Sequence, residues 1–217
     1  KIFLATKNKG KITEFQQILS KMDVELVTCQ DIDIPDVEET GSTFVENAIL
    51  KARSAANFTS LPSIADDSGI EVDYLNGRPG VWSARYAGKD ATNEENNNKL
   101  LKELEGVPEI KRGACYRCVI VFMRFSNDPF PFIAQDSWKG RINNKHEGTN
   151  GFGYDPIFIP NNGEKSHASR SRLQQMVQRA HYSGGSRREF WRARLHVHQA
   201  PRLRNLGGYA GGTRPPI

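Results

Sequence analysis

Residues 61–75 read LPSIADDSGIEVDYL. Leu61–Ala65 has the make-up of a short strand, and it runs into a polar cluster, Asp66-Asp67-Ser68-Gly69, that reads as an acidic turn. Ile70–Leu75 then alternates Ile70, Val72 and Tyr74 with polar neighbours, the period of a half-buried strand. It stops at Asn76-Gly77-Arg78-Pro79-Gly80, a cluster of turn formers.

Helical patterns lie on both sides of this stretch. Thr43 with Glu46 three residues on forms a capping box, and Phe44, Ala48, Ala52 and Ala55 share one face of a helix ending near Asn57. Thr92 with Glu95 forms a second capping box before a helix running through Leu104. Nearer the start, Lys1–Ala5 reads as a strand and Lys11–Met22 as an amphipathic helix, with Val24–Cys29 the next strand. Ala114–Phe125, Phe132–Ser137 and Pro156–Ile159 are further strand candidates. Strands and helices intermix, so the predicted class is α/β.

A chain of 217 residues is long enough for one domain with a sizeable core. No apolar run approaches the ~20 residues of a membrane helix, and no signal-peptide pattern opens the chain. No membrane partner is therefore expected. Cys29, Cys115 and Cys118 are too few for a disulfide framework, so a reducing cytoplasm is the expected compartment. Cys115 and Cys118 fall inside the best strand candidate and read as buried structural thiols, with no zinc site. The net charge of +5 hides an asymmetry: residues 164–217 hold ten Arg and one Lys against Glu164 and Glu189, a balance of +9, while residues 1–163 carry −4.

Three segments carry candidate chemistry. Thr6-Lys7-Asn8-Lys9-Gly10-Lys11 joins the first strand to the first helix, where backbone N–H groups and ammonium groups suit phosphate oxygens; a solvated lysine cluster is the plainer alternative. The loop lacks the spacing of a Walker P-loop. Glu38-Glu39-Thr40-Gly41 and Asp66-Asp67-Ser68-Gly69 are two acidic segments that could converge on Mg²⁺, which takes one or two carboxylates together with water and phosphate; both could equally be turns that only redirect the chain. Phe152 stands between Gly151 and Gly153, with Tyr154-Asp155-Pro156 beyond, a segment suited either to stacking a base or to packing an aromatic into the core.

With these residues in place, the chain resembles the inosine triphosphate / xanthosine triphosphate pyrophosphatase (Ham1-like) family. The matching motifs are Leu4-Ala5-Thr6, Asn8 and Gly10-Lys11; Glu38-Glu39-Thr40-Gly41 with Thr43-Phe44 and Glu46-Asn47-Ala48; Ala65-Asp66-Asp67-Ser68-Gly69; Pro79-Gly80-Val81 with Ser83-Ala84-Arg85-Tyr86; and Gly151 through Phe158. The resemblance implies an elongated mixed β-sheet with flanking helices forming two lobes around a central cleft, and a homodimer. It also implies Mg²⁺-dependent hydrolysis of ITP, dITP or XTP to the monophosphate and pyrophosphate. On that resemblance Thr6, Asn8 and Lys11 hold the triphosphate, with Lys7, Lys9 and Gly10 of the same loop as further substrate-binding candidates, and Glu38 and Asp67 hold Mg²⁺. Asp67 is also the base for the attacking water, Ser68 contacts substrate, and Phe152, Gly153, Tyr154 and Asp155 form the base pocket.

The resemblance ends near Asn162, giving a pyrophosphatase domain over 1–162 and an anomalous basic tail over 163–217, frameshifted or disordered. The family's Lys and Ser-His-Arg group, which read the 6-oxo edge of the purine, have no counterpart; Ser166-His167-Ala168-Ser169-Arg170 holds the right residue types in the wrong order. The rival readings are a nucleic-acid-binding protein acting through this tail and a catalytically impaired homologue.

Overall fold

The structure, a computed structural model, describes residues 1–20, 23–147 and 153–161. The apolar runs pair into one six-stranded mixed sheet, β1 (Ile2–Leu4), β2 (Leu26–Thr28), β3 (Ser63–Val72), β4 (Gly113–Met123), β5 (Phe132–Ile142) and β6 (Phe158–Pro160), in the order β2-β1-β3-β4-β5-β6. The first three are parallel neighbours, and β3 through β6 are antiparallel. Three helices accompany them: α1 (Lys9–Leu19), α2 (Phe44–Thr59) and α3 (Asn93–Glu103). The α/β class read from the sequence stands. The predicted segment 163–217 lies outside the described residues.

The core forms where α2 lies on the sheet. Phe3, Ala5, Ala65, Val119, Val121 and Met123 meet Ala48, Ala52 and Ala55 of α2, all of them buried. Alanine on the helix side shortens the distance at which helix and sheet can pack. Both capping boxes hold: Thr43 accepts from Glu46 N and Thr92 from Glu95 N, while each glutamate reaches back to its cap residue. The α1 helix buries Ile12, Phe15 and Leu19 and starts two residues earlier than expected, because the Asn8 side chain caps it; Met22 lies outside the described residues.

The main correction concerns Asp66-Asp67-Ser68-Gly69, which is not a turn. It is the middle of β3, and it pairs in unbroken register from Asp66↔Ile120 to Gly69↔Arg117. The two short strands read on either side of it are one strand of ten residues. Ladder hydrogen bonds to β4 override the local turn preference of an Asp-Ser-Gly cluster. Similarly, β5 continues past Ser137 to Ile142, and Asp155–Ile157 forms a 3-10 turn ahead of β6.

Candidate active site

The phosphate-loop candidate is shaped by Asn8. Its Oδ1 accepts from Gly10 N at 2.9 Å and Lys11 N at 3.3 Å, and Asn8 N donates to Thr6 Oγ1 at 3.2 Å. Asn8 therefore works as the helix cap, a role worth ~1 kcal/mol. Lys11, one turn into α1, sends its ammonium to β3: Nζ lies 2.5 Å from Asp66 Oδ2 and 3.1 Å from Ser68 Oγ. Lys7 pairs at the surface with Asp36 Oδ1, 2.8 Å away, and Lys9 and Gly10 are exposed.

Because strand residues alternate, Asp66 and Ser68 share one face of β3 and Asp67 takes the other, the α2 side. There Lys51 of α2 places Nζ 2.8 Å from Asp67 Oδ1 and 2.9 Å from Glu39 Oε1, and Arg85 donates to Glu39 Oε2 at 2.7 Å. Glu38, which the resemblance places on the metal, is exposed; its neighbour Glu39 is the one drawn in to Lys51. The sequence reading missed Lys51, and it named Glu39 and Arg85 only as members of motifs, with no role of their own. The legible signal was Lys51 itself, a cation standing inside the Ala48, Ala52, Ala55 stripe of α2.

Charge and burial compete at each group. Burial pushes the Asp67 carboxyl above the usual carboxylate range even with Lys51 beside it. Burial also opposes charge on Lys51, but Asp67, Asp66 and Glu39 outweigh it and keep the ammonium protonated. For Glu39, Lys51 and Arg85 overcome the burial penalty and hold the carboxyl below its usual range. Asp66 is 2 % exposed, and its Oδ1 has no hydrogen-bond partner among the described residues. A buried carboxylate oxygen left this way is suited to receive a cation, water or ligand donor.

Thr6, Lys7, Lys11, Glu39, Lys51 and Asp66 line a common cavity of about 240 Å³. A larger groove of about 500 Å³, bordered by Thr43 and Gln135, contains none of these groups, and its arginine, Arg117, is matched by Glu71 at 2.7 Å. The smaller cavity is the one that gathers Lys11, Lys51, Glu39 and Asp66.

The base-turn candidate is anchored from three sides. Asn97 of α3 donates Nδ2 to Gly153 O at 3.1 Å. Tyr154, 4 % exposed, donates its hydroxyl to Ser83 O at 2.8 Å, and Asp155 Oδ1 accepts from Tyr116 OH at 3.3 Å. Phe152 lies outside the described residues. Cys115 and Cys118 are buried, unpaired thiols on β4.

Among the described residues, no three His, Cys, Asp or Glu side chains gather as a metal cluster. A Mg²⁺ site does not need three, since one or two carboxylates, water and phosphate suffice. The hard carboxylate oxygens of Asp67 and Glu39, which meet at the Lys51 ammonium, are of the kind that ion takes.

Residues 2–180 match the Ham1 family model. The dITP/XTP pyrophosphatase of Vibrio parahaemolyticus is 54 % identical over 159 residues, 73 % of this chain and 80 % of that protein. The dITP/XTP pyrophosphatase of Escherichia coli K12 is 50 % identical over 165 residues, 76 % and 84 % of the two chains. Among solved structures, a HAM1 protein from Coxiella burnetii superposes with a TM-score of 0.73 at 45 % identity, covering 80 % of this chain and 88 % of that one. The Staphylococcus aureus Ham1 protein gives 0.71 at 38 % identity, covering 90 % and 97 %.

Proposed function

Since the chain belongs to the Ham1 family, we propose that it is a nucleoside triphosphate pyrophosphohydrolase that converts ITP, dITP and XTP to the monophosphate and pyrophosphate, clearing aberrant purines from the nucleotide pool. One observation carries this reading. Two ammonium groups from different helices, Lys11 and Lys51, converge on the Asp66-Asp67-Ser68 segment of a central strand. That is a setting for a polyphosphate beside a basic carboxylate.

The reaction needs water to attack the α-phosphorus while the bond to the α–β bridging oxygen breaks. Asp67 orients the attacking water and takes its proton as the bond to the α-phosphorus forms. Lys11 and Lys51 lie where negative charge grows on the departing pyrophosphate, and fixed cations in a partly buried site stabilise it without reorganising. Mg²⁺ would be held by Asp67 and the Glu38-Glu39 segment, and it neutralises charge on the phosphates when bound. Thr6, Lys7, Asn8, Lys9 and Gly10 supply the rim of the phosphate side, with Asn8 acting by capping α1. Ser68, already in contact with Lys11, faces the same substrate. Gly153, Tyr154 and Asp155, held through Asn97 and Ser83, receive the purine, with Phe152 as the proposed stacking partner.

The family resemblance further supports a homodimer, and the unpaired thiols agree with a reducing cytoplasm. No helix among the described residues is long and apolar enough to cross a membrane. Pyrophosphate release from ITP, XTP, GTP and ATP, with and without Mg²⁺, tests the reading. Metal-dependent release from ITP and XTP is expected. Orthophosphate as the product, or no product from any nucleotide, would sink it.

A further inference from the structure

Glu39 uses its two carboxylate oxygens on two different cations. Oε1 accepts from Lys51 Nζ at 2.9 Å, and Oε2 accepts from Arg85 NH1 at 2.7 Å. Lys51 in turn divides its ammonium between Glu39 and Asp67 Oδ1. The four side chains form an alternating series, Arg85, Glu39, Lys51, Asp67, with Arg85 at the end farthest from the base. An ammonium has no directional preference of its own, so its resting place is set by the oxygens around it. Glu39 sits on a loop, and the guanidinium is what fixes its rotation.

Arg85 is itself held firmly. It ends the 3-10 turn Gly80–Arg85, and its guanidinium lies 4.5 Å over the Trp82 ring. The turn is tied to β3 by Ile70 N, which donates to Ser83 Oγ at 2.9 Å, while within the turn Ser83 Oγ donates to Gly80 O at 2.6 Å. Such an approach requires glycine at position 69, where a Cβ would stand 2.5 Å from Gly80 O and Ser83 Oγ. The same turn receives the Tyr154 hydroxyl at Ser83 O. One six-residue segment therefore touches the base turn at Ser83 and the carboxylate series at Arg85.

We propose that Arg85 is a positioning residue for pyrophosphate release: acting through Glu39, it fixes the Lys51 ammonium relative to Asp67, and its turn keeps the purine side in register with the phosphate side. The proposal rests on the pyrophosphatase reading above. An ordinary anchoring ion pair is the competing account. A partly exposed pair of that kind contributes little to stability and would not bear selectively on turnover.

The test uses the full chain with Arg85→Met, Glu39→Gln and the double variant. Arg85→Met is expected to lower kcat on ITP by about tenfold or more, because misplacing a catalytic cation is felt at the transition state. KM should stay within about threefold and Tm within about 3 °C. Since Arg85 acts through Glu39, the double variant should be no slower than Glu39→Gln alone. Losses that multiply in the double variant, or a kcat within twofold of wild type for Arg85→Met, would overturn the proposal.

A lysine-ammonium NMR spectrum of the nucleotide-free protein gives a second readout that needs no turnover. The Lys51 resonance, assigned by its loss in Lys51→Met, should shift or broaden in Arg85→Met, and an unchanged resonance overturns the proposal. Wild-type protein that releases no pyrophosphate would instead refute the functional reading, and the NMR comparison would still decide the role of Arg85.

Discussion

Lys51 Nζ stands 2.8 Å from Asp67 Oδ1, with the two side chains only 19 % and 11 % exposed. Sixteen positions of sequence and two different elements separate them. Removing one member of such a pair leaves its partner charged in a poorly solvated place.

Lys51→Met is therefore expected to destabilise the fold by about 1–3 kcal/mol and to lower kcat/KM for ITP by about a hundredfold or more. Adding Asp67→Asn removes the orphaned charge, so the double variant should regain Tm while remaining inactive. Thermal melts beside pyrophosphate assays check this. A double variant less stable than Lys51→Met would refute the charge-orphaning argument.

Asn97→Leu separates anchoring from folding. Asn97 is 2 % exposed, its Nδ2 holds Gly153 O, and its Oδ1 has no hydrogen-bond partner among the described residues. The leucine loses one bond but also removes a buried, unsatisfied oxygen, so Tm should move by no more than about 3 °C. Freed from its tether, the base turn should raise KM for ITP by about five- to tenfold with less effect on kcat. A fall in Tm with KM unchanged would assign Asn97 to folding alone.

The Arg124–Asp128 pair predicts an acid-side stability change. Asp128 accepts from Arg124 Nε and NH2 and from the backbone N–H groups of Arg124 and Phe130. The Arg124 side chain leads in holding its carboxyl well below the usual range. A depressed folded-state pKa means that the contribution is fully present above the unfolded value of about 3.9 and is lost as pH falls below it. Asp128→Asn should therefore melt below wild type at pH 7, and the gap should narrow from about pH 4 downward. A constant gap from pH 7 to pH 2 would contradict the assignment.

Base discrimination should be weak. The sequence contains no Ser-His-Arg triplet to meet the 6-oxo edge, and a site rejects an analogue strongly only where its polar partners are present. The ratio of kcat/KM for ITP over ATP is expected below about a hundred. A ratio of several thousand would mean that residues after Asn162 supply equivalent donors.

What the sequence disclosed was mostly local. Thr43 with Glu46 and Thr92 with Glu95 mark helix starts because a capping box is complete within four residues. Asp66 through Gly69 misled because the same four residues suit a turn, and only β4, some fifty positions away, decides for a strand. The 6–11 loop was legible as a lysine-rich helix start, and the structure adds that Asn8 caps that helix. Lys51 escaped notice because its partners, Glu39 and Asp67, lie twelve and sixteen positions away on separate elements. Pairing at that range is fixed by packing, which no local pattern encodes.

The sheet order also implies an order of assembly. β4 and β5 are sequential antiparallel strands joined by a short connection, so they can pair with little loss of chain entropy. β1 reaches its neighbour β3 only by bringing Phe3 beside Ser63, a closure of sixty residues. The hairpin is expected to nucleate folding, with β3 adding to it and the parallel pair closing last. Substitutions in β4 or β5 should then chiefly slow folding, while those in β1 or β2 should chiefly hasten unfolding. Asp66 and Asp67 would dock on the finished hairpin before Lys11 arrives, so the site's carboxylates are in place earlier than the cation that α1 delivers.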